Sequence, residues 1–403
     1  MKYVVFLGDG MADYPVARLN GRTPLMVADK SAIDRIAREG RTGRFVSIEA
    51  DLPTGSAVAN LSVLGYDPHE TFQGRGVLEA ASMGVELAAD DMAMRINLIT
   101  IEEGELRSHS SGHITTEEST RLLAACQELL AANGARTHVG LSYRHLLVLP
   151  GGDPRVECAP PHDHIGERAE DLMVTPKTEA AAPTALRLNR IIRKSWEILA
   201  GHPVNQARRE AGKLPANSLW PWSPGVRPKM HTMMERFGIK GAVISAVDLI
   251  KGLGVYAGMD VITVEGATGL YDTNYEGKAD ACLAALNDHD FVFVHVEATD
   301  EAGHERNLEL KIKCIEMFDR RLIQRVMDGI ERRGTEVTYA VLPDHPTPVD
   351  LGIHVRDPVP VAIWNPTWPP DAVQVYDEDS VAGGALGLLR GAEFIESVFE
   401  RRQ

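Results

Sequence analysis

Short runs of apolar residues recur at four places along the chain. They are rich in Val, Ile and Phe and occupy residues 3–7, 242–246, 291–296 and 337–342. Runs of this kind are typical of strands that are buried on both faces, as in a parallel sheet covered by helices. An acid follows three of the four runs, and these acids are Asp9, Asp300 and Asp344. Because ligands of open α/β sheets bind beyond the carboxyl ends of the strands, we expect the three acids to converge.

Helical patterns lie between the predicted strands. The clearest occupy residues 118–132 and residues 308–333. Gly334 directly follows the second pattern, where a helix commonly ends with a residue in the left-handed conformation. Strands that alternate with helices indicate an α/β fold with a parallel sheet.

The middle of the chain, from about residue 90 to residue 229, differs from the rest in local composition. An Ala-rich stretch, a Pro/Gly cluster and a Trp/Pro segment predict linkers or loops at residues 178–185, 150–154 and 220–225. Strand-and-acid patterns of one kind occur both before and after this region. We therefore predict one discontinuous domain, residues 1–88 and 232–403, that is interrupted by an inserted domain, residues 89–231.

Composition and charge narrow the class of protein. The chain has 403 residues, with 42 Lys plus Arg against 57 Asp plus Glu and a formal net charge of −15. This surplus of acid argues against a nucleic-acid coat, because it would repel phosphate backbones. Four cysteines without C-x-x-C spacing argue against a disulfide framework or a zinc knuckle, and no run resembles a signal peptide or a membrane span. We expect a cytoplasmic enzyme with no nucleic-acid or membrane partner, whose oligomeric state the sequence leaves open.

Acids and histidines follow the third and fourth apolar runs at spacings that suit a metal. Asp300 and His304 share a face if a helix begins near Asp300. Asp344 and His345 are adjacent, and His354 follows nine residues after His345. Each pattern alone favours a plain turn or loop, but together with the acid after the first run they favour a metal centre. Oxygen and imidazole ligands suit Mn, Zn, Fe or Co, and two such ions would stabilise the oxygens of a phosphoryl transfer.

Ser56 is the candidate nucleophile. Residues 52–61 change abruptly from loop residues to a helix-like run, which predicts a helix N-terminus at Ser56. Free N–H groups and the helix dipole favour a phosphate or an alkoxide there. On local sequence alone, the favoured interpretation is that Ser56 or Thr54 is an ordinary N-cap. A metal ion at the same point would lower the hydroxyl pKa of Ser56 and convert it into a nucleophile.

With these residues in view, the chain resembles the cofactor-independent phosphoglycerate mutases of the archaeal type, within the alkaline phosphatase superfamily. Besides the two metal segments, the matching segments are residues 6–13, 56–68, 74–76, 78–80, 111–114, 142–145, 160–163, 202–205, 241–251 and 272–278. The resemblance implies an α/β fold with an alkaline-phosphatase-like parallel-sheet core and a smaller inserted α/β domain that helps to hold substrate. One departure is that residues 54–57 are Thr-Gly-Ser-Ala, where the family usually has Pro-Gly-Ser-Asp.

The resemblance also implies an activity and its cofactors. The activity is that of an isomerase of glycolysis and gluconeogenesis, which interconverts 3-phosphoglycerate and 2-phosphoglycerate through a phosphoserine, without 2,3-bisphosphoglycerate. The cofactors are two divalent metal ions, commonly Mn²⁺, with Mg²⁺, Co²⁺ or Zn²⁺ as alternatives. The implied ligands of one ion are Asp9, Ser56, Asp344 and His345, and those of the other are Asp300, His304 and His354.

Four residues of the matching segments are candidates for contacting phosphoglycerate, and they are His113, Arg144, Asp163 and Lys251. Cations suit its phosphate and carboxylate, and His or Asp suits a shuttled proton. Structural roles stay open, since His113 is also placed to cap a helix and Lys251 to be a solvated helix residue. Weaker phosphate candidates are Arg75, Arg193 and Arg227.

Two other functions compete with the mutase. One is a related metal-dependent phosphotransferase that acts on another small substrate, of the proposed homoserine kinase type. The sequence has neither G-x-x-x-x-G-K-[ST] nor a G-x-G-x-x-G after a strand, which counts against a nucleotide site. The other is a metal-stabilised binding protein that has lost turnover.

Overall fold

The computed structural model of the protein describes residues 1–400. Its strands are β1 (Lys2–Gly8), β2 (Arg41–Val46), β3 (Asp91–Glu102), β4 (Glu105–Ser108), β5 (Arg136–His138), β6 (Arg144–Pro150), β7 (Val156–Glu157), β8 (Thr175–Pro176), β9 (Ser218–Val226), β10 (Gly241–Ile244), β11 (Asp260–Ile262), β12 (Phe291–Val296), β13 (Val337–Leu342), β14 (Val359–Trp364) and β15 (Gly387–Arg390).

The helices are α1 (Pro24–Val27), α2 (Ser31–Glu39), α3 (Ser56–Val63), α4 (Pro68–Thr71), α5 (Arg75–Ser82), α6 (Thr116–Ala125), α7 (Gln127–Ala132), α8 (Ala182–Ala200), α9 (Pro203–Glu210), α10 (Met233–Phe237), α11 (Asp248–Tyr256), α12 (Tyr275–Ala285), α13 (Ala298–His304), α14 (Leu308–Met317), α15 (Gln324–Arg333) and α16 (Glu393–Val398). No helix within residues 1–400 is long and apolar enough to cross a membrane.

The chain divides into two compact units. The first unit combines Met1–Phe72 with the chain from Lys229 onward, and the second unit is Gln73–Pro228. The second unit thus begins at residue 73 rather than at the expected residue 89. The reason is that α5 packs on β3, where Gly76 lies so close to the backbone of Ala93 that a Cβ would come within 2.7 Å of its carbonyl oxygen.

An eight-stranded sheet forms the centre of the first unit. Its strand order is β11-β10-β12-β1-β13-β14-β2-β15. The five strands from β11 to β13 run parallel, whereas β14 runs antiparallel to both of its neighbours. The carboxyl ends of β12, β1 and β13 therefore lie side by side, with Gly8 opposite Val296 and Leu7 opposite Leu342. The α/β fold expected from the sequence is confirmed.

Burial on both faces explains why the central strands are apolar throughout. On one face, Val4 and Phe6 of β1 belong to a buried cluster with side chains of α2, α12, α14 and α15. On the other face, the Phe399 ring lies 5.0 Å from that of Tyr3 and 5.2 Å from that of Phe291. Neither face of β1 is left to water, so nearly every position in the strand selects an apolar side chain.

The two predicted long helices are interrupted. Residues 118–132 form α6 and α7, which meet at Cys126, and α6 begins with a capping box between Thr115 and Glu118. Residues 308–333 form α14, one wider π-helical turn at Phe318–Ile323, and α15. Gly334 ends α15 in the left-handed conformation, at φ 64°, as its position predicts.

An antiparallel sheet organises the second unit. Strands β4, β3, β6 and β5 lie in that order, and β9 pairs along β3. Two of the predicted loops are wrong here. Residues 179–181 form a 3-10 turn and residues 182–185 form the first turn of α8, because Ala favours helix and Pro183 fits a first turn. Residues 220–225 lie within β9, which pairs only with β3 in the described chain and therefore tolerates prolines along its edge.

Candidate metal centre

The loops after β1 and β13 place three ligand residues against one another in the first unit. Asp9 directly follows β1, and Asp344 and His345 follow β13. One ligand atom from each lies within 4.8 Å of the others. All three side chains are fully buried. We call Asp9, Asp344 and His345 the inner group.

Backbone and amide donors hold Asp344 in place. Its Oδ1 accepts hydrogen bonds from the backbone N–H of Gly10 at 3.2 Å and of His345 at 2.9 Å. Its Oδ2 accepts one from the side-chain amide of Asn60 at 2.9 Å. Gly10 has φ 60° and lies against the Asp300 carboxylate, so a side chain there would be both strained and without room. The glycine after Asp9 is thus what allows two strand ends to meet.

Ser56 is the first residue of α3 and lies beside the inner group. The N-cap residue of α3 is Gly55, at φ 145°. Neither Ser56 nor Thr54 therefore has the capping role. The hydroxyl oxygen of Ser56 is 3.2 Å from Nε2 of His345. Asn60, one turn along α3, donates to the Ser56 carbonyl at 2.9 Å and so ties this turn to Asp344.

A second set of three ligand residues, Asp300, His304 and His354, is called the outer group. Asp300 and His304 share one face of α13, and His354 lies in the loop after β13. Nε2 of His304 is 3.1 Å from Oδ2 of Asp300, and Nε2 of His354 is 3.4 Å from Oδ1. The two Nε2 atoms are 2.8 Å apart, so both rings direct the same nitrogen at one point beside the carboxylate. His304 uses Nδ1 on the Gly352 carbonyl at 2.9 Å.

The acids of the centre differ in their electrostatics. Burial, followed by the charges of Asp344 and Glu297, raises the pKa of Asp9 well above its usual value. Burial also raises the pKa of Glu297 to about 8, with Asp300 adding to the effect. Burial would raise the pKa of Asp300 too, but its hydrogen bonds with His304 and His354 hold it well below the usual range. Asp9 thus faces other carboxylates, whereas Glu297 also faces the charge of the buried Lys278.

The pKa values of two histidines of the centre are shifted in opposite directions. The hydrogen bond to Asp300 raises the pKa of His304 to about 9. Burial lowers the pKa of His345, which favours the neutral imidazole that a metal ion requires.

The donor set fits divalent cations. The Asp9 Oδ1, Glu297 Oε2 and Asn60 Oδ1 atoms are buried and have no hydrogen-bond partner among the described residues. Acceptors in that state are costly unless a cation or a proton meets them. Three carboxylates with three imidazoles suit borderline metals rather than Ca²⁺, which prefers oxygen ligands throughout.

The structure also brings residues to the centre that sequence reasoning missed. His295 contacts Asp9, Glu297 lies 3.6 Å from His295, and the Thr347 hydroxyl donates to Asp300. Lys311, fully buried, donates to the Ala12 carbonyl at 3.1 Å, to the Thr347 carbonyl at 2.8 Å and to Asp13 at 2.8 Å. The available signals were a histidine inside an otherwise apolar strand, an acid just after it, and a lysine in an apolar helix pattern.

Three of the four predicted substrate residues lie in the second unit. The ring centroids of His113 and Tyr143 are 6.0 Å apart, and the Arg144 guanidinium is 5.6 Å from the Tyr143 ring. Asp163 lies 3.6 Å from the neighbouring His162. His109 connects the two sets, because its ring is 5.7 Å from Tyr143 and 6.2 Å from His162. The second unit therefore presents a local cluster of imidazoles, a guanidinium and a carboxylate.

The remaining candidates have other surroundings. Lys251 belongs to the first unit, where α11 carries it and its ammonium lies 3.2 Å from Asp248. Arg193 is exposed and forms an ion pair with Glu170 at 2.7 Å. His113 does not cap α6, since Thr115 does so.

Comparison with known proteins gives concordant results. Residues 37–205 match the family model described as 2,3-bisphosphoglycerate-independent phosphoglycerate mutase. A protein of that name from Methanosarcina acetivorans is 48% identical over 398 residues, which cover 98% of either chain. A Pyrococcus horikoshii protein of known structure is 30% identical with a TM-score of 0.82, and the match covers 100% of this chain and 98% of that one. A cofactor-independent phosphoglycerate mutase from Thermoplasma acidophilum is 27% identical with a TM-score of 0.68, over 99% of either chain.

Proposed function

The chain belongs to the family of 2,3-bisphosphoglycerate-independent phosphoglycerate mutases, and we propose that it interconverts 3-phosphoglycerate and 2-phosphoglycerate through a phosphoserine at Ser56. The resemblance that the sequence suggested is thereby confirmed at the level of the family. The observation that carries the proposal for Ser56 is its place at the start of α3, with its hydroxyl 3.2 Å from His345 of the inner group.

The two ligand groups are the proposed holders of two divalent ions. The inner group, together with Ser56, would hold one, and the outer group would hold the other. When bound, such ions neutralise phosphoryl oxygens and lower the pKa of a coordinated hydroxyl. Mn²⁺ is the proposed metal, because mixed carboxylate and imidazole ligands suit it, although the same set accepts Co²⁺, Zn²⁺ or Mg²⁺.

Ser56 would act as the nucleophile in both directions. In the first half-reaction a bond forms between the Ser56 oxygen and phosphorus, and the bond from phosphorus to the 3-oxygen of the substrate breaks, with a proton returned to that oxygen. In the second half-reaction the 2-hydroxyl of bound glycerate attacks the phosphoserine, releases the Ser56 oxygen and loses its proton. The free N–H groups at the start of α3 favour the charge carried by the phosphoryl group.

Substrate contacts are proposed for His113, Arg144, Asp163 and Lys251. Arg144 and Lys251 would pair with the phosphate or the carboxylate of phosphoglycerate. His113 and Asp163 would carry protons between the two hydroxyl oxygens. The cluster around Tyr143 supports the grouping of His113 with Arg144.

An enolase-coupled assay tests the function. The purified protein is given 3-phosphoglycerate without 2,3-bisphosphoglycerate, once with Mn²⁺ and once with EDTA. We expect 2-phosphoglycerate to form in Mn²⁺, no turnover in EDTA, and phosphate on Ser56 in protein that is quenched during turnover. Failure to form 2-phosphoglycerate with any divalent metal would refute the mutase and favour the related phosphotransferase.

A further inference from the structure

His295 lies near the carboxyl end of β12, fully buried within an apolar strand. Both of its ring nitrogens have partners in the first unit. Nδ1 is 3.1 Å from the Ser245 hydroxyl, and Nε2 is 2.9 Å from Oδ2 of Asp9. Ser245 directly follows β10, the neighbour of β12, so three adjacent strands contribute one residue each to this chain of contacts.

Hydrogen-bond accounting fixes the direction of the chain. An ionised Asp9 can only accept, so Nε2 of His295 carries the ring hydrogen and donates it to Oδ2. Nδ1 then accepts the hydrogen of the Ser245 hydroxyl, whose oxygen accepts from the backbone N–H of Val247 at 3.0 Å. With this tautomer every donor in the chain has an acceptor.

The two oxygens of Asp9 therefore have different surroundings. Oδ2 is engaged by His295, whereas Oδ1 has no hydrogen-bond partner and lies 3.5 Å from Nε2 of His345. A carboxylate held through one oxygen has a fixed rotation about its terminal torsion, which is otherwise broad. Partners of this kind orient ligands and contribute to metal affinity.

We propose that His295 is a positioning residue, which Ser245 orients in turn, and that it turns Oδ1 of Asp9 toward the ion of the inner group. This inference rests on the proposed function, because it assumes that the inner group holds an ion. His295 itself touches neither substrate nor metal in this proposal.

A matched control stands at the other end of the same strand. His289 precedes β12, is 8% exposed, and also uses both ring nitrogens. Its Nε2 is 2.8 Å from Asp260, and its Nδ1 is 3.0 Å from the Ala285 carbonyl. Asp260 begins β11, at the amino end of the sheet, and belongs to neither ligand group. His289 thus makes a similar His–Asp contact without a ligand role.

The test is a calorimetric Mn²⁺ titration of the full chain, with the electron paramagnetic resonance of free Mn²⁺ as a second readout. The variants are His295→Leu, His295→Gln, Ser245→Ala and His289→Leu. We expect two ions in the wild type and a loss of about 10- to 100-fold in the affinity of one ion only for His295→Leu. His295→Gln should retain more affinity, because its amide can still donate to Asp9. Ser245→Ala should weaken the same ion to a smaller extent, and His289→Leu should bind as the wild type does.

Several results would overturn the inference. One is a folded His295→Leu protein that binds both ions with unchanged affinity. Another is an equal loss at both ions in His295→Leu that His295→Gln does not reverse. A third ion in the wild type that disappears in His295→Leu would make His295 a ligand instead. If His295→Leu does not fold, unchanged affinity in Ser245→Ala overturns the proposal. If the wild type binds two Mn²⁺ and is an active mutase, these results refute the role of His295 and leave the proposed function intact. If the wild type binds no Mn²⁺, the two-metal function is refuted as well.

Discussion

The inner and outer ligand groups differ in how far water reaches them. All three inner side chains are fully buried, whereas the side chains of His304 and His354 are 37% and 22% exposed. Inner ligands follow buried strands, and backbone donors fix one of them, Asp344, while the outer group combines a short helix with a loop. A buried charge that loses its partner costs far more free energy than an exposed one, because water cannot replace the partner.

The two groups also differ in how their charge is balanced. Asp300 of the outer group has two imidazoles within hydrogen-bond reach, and these keep its pKa low. Asp9 of the inner group faces Asp344 and Glu297, and its pKa is raised. Without metal, the outer group can therefore neutralise itself by protonating a histidine, whereas the inner group does so by keeping a proton on a carboxylate. A bound ion would have to displace a proton from a different kind of side chain in each group.

The largest expected effect is a loss of mutase activity, and it tests whether the nucleophile lies beside the inner group. Ser56→Ala removes the proposed nucleophile, so mutase activity should fall by at least about a thousandfold, as for other enzymes that lose a nucleophile. Binding of the outer ion should be unchanged, because Ser56 is not among its proposed ligands. The coupled assay and a Mn²⁺ titration measure the two quantities.

Ser62→Ala is the matched control for this variant. Ser62 lies on the same helix, is 5% exposed, and its hydroxyl donates to the Val58 carbonyl at 3.4 Å. Its loss should leave turnover nearly unchanged. Substantial activity in Ser56→Ala would contradict the phosphoserine route and remove the functional distinction between the groups.

The next prediction concerns metal affinity and compares the loss of one ligand from each group. Asp9→Asn should weaken the inner ion by about 100-fold, since the loss of a buried charged partner costs about 3 kcal/mol. His354→Gln should weaken the outer ion by about tenfold, because water can occupy the vacated position at this more exposed site. Titration of each variant with Mn²⁺ gives the two dissociation constants.

Without metal, we expect the same two variants to differ in thermal stability. In EDTA, at a pH high enough for Asp9 and Glu297 to lose their protons, Asp9→Asn relieves the repulsion from Asp344 and Glu297, so its melting temperature should rise by about 2 °C. His354→Gln removes a partner of Asp300 and should not be stabilised. A lower melting temperature for Asp9→Asn in EDTA would show that the inner carboxylates do not repel one another as the structure indicates.

Sequence patterns predicted the parts of the fold where one physical demand dominates. Strands buried on both faces had to be apolar, so β1, β12 and β13 were predicted to within one residue at each end. The edge strand β9 was missed, because its prolines are tolerated only through a pairing that local sequence does not show. The sequence pattern predicts the first boundary of the inserted unit at residue 89 rather than residue 73, because the packing of α5 on β3 is likewise non-local.

At the candidate site, the sequence predicted the ligand residues that have a recognisable spacing. It did not predict the residues that contact and orient those ligands. Asp300 and His304 stand out because their spacing matches one helical turn. His295 does not, since a single histidine in an apolar strand is compatible with an ordinary core residue. Its contact with Asp9 spans 286 positions of sequence. Such a contact follows from the order of strands in the sheet, which no local pattern encodes.

The smallest expected effect concerns the pH dependence of stability in the metal-free protein. The folded-state pKa of Glu297 is raised to about 8 by burial and by Asp300, and that of His304 is raised to about 9 by its hydrogen bond to Asp300. Both groups bind protons more tightly in the folded state than in the unfolded state, so stability is lost as pH rises through these values. In EDTA, we expect the free energy of unfolding to fall by about 1–2 kcal/mol between about pH 7 and pH 9, after allowance for the screening of half-exposed His304.

Urea unfolding at the two pH values measures the fall. Glu297→Gln should make it shallower, because the acid that loses its proton is gone, and Mn²⁺ should do so by neutralising the neighbouring carboxylates. Stability that rises between these pH values in EDTA would show that the inner carboxylates already have a cationic partner in the protein, and the contrast between the two groups would then disappear.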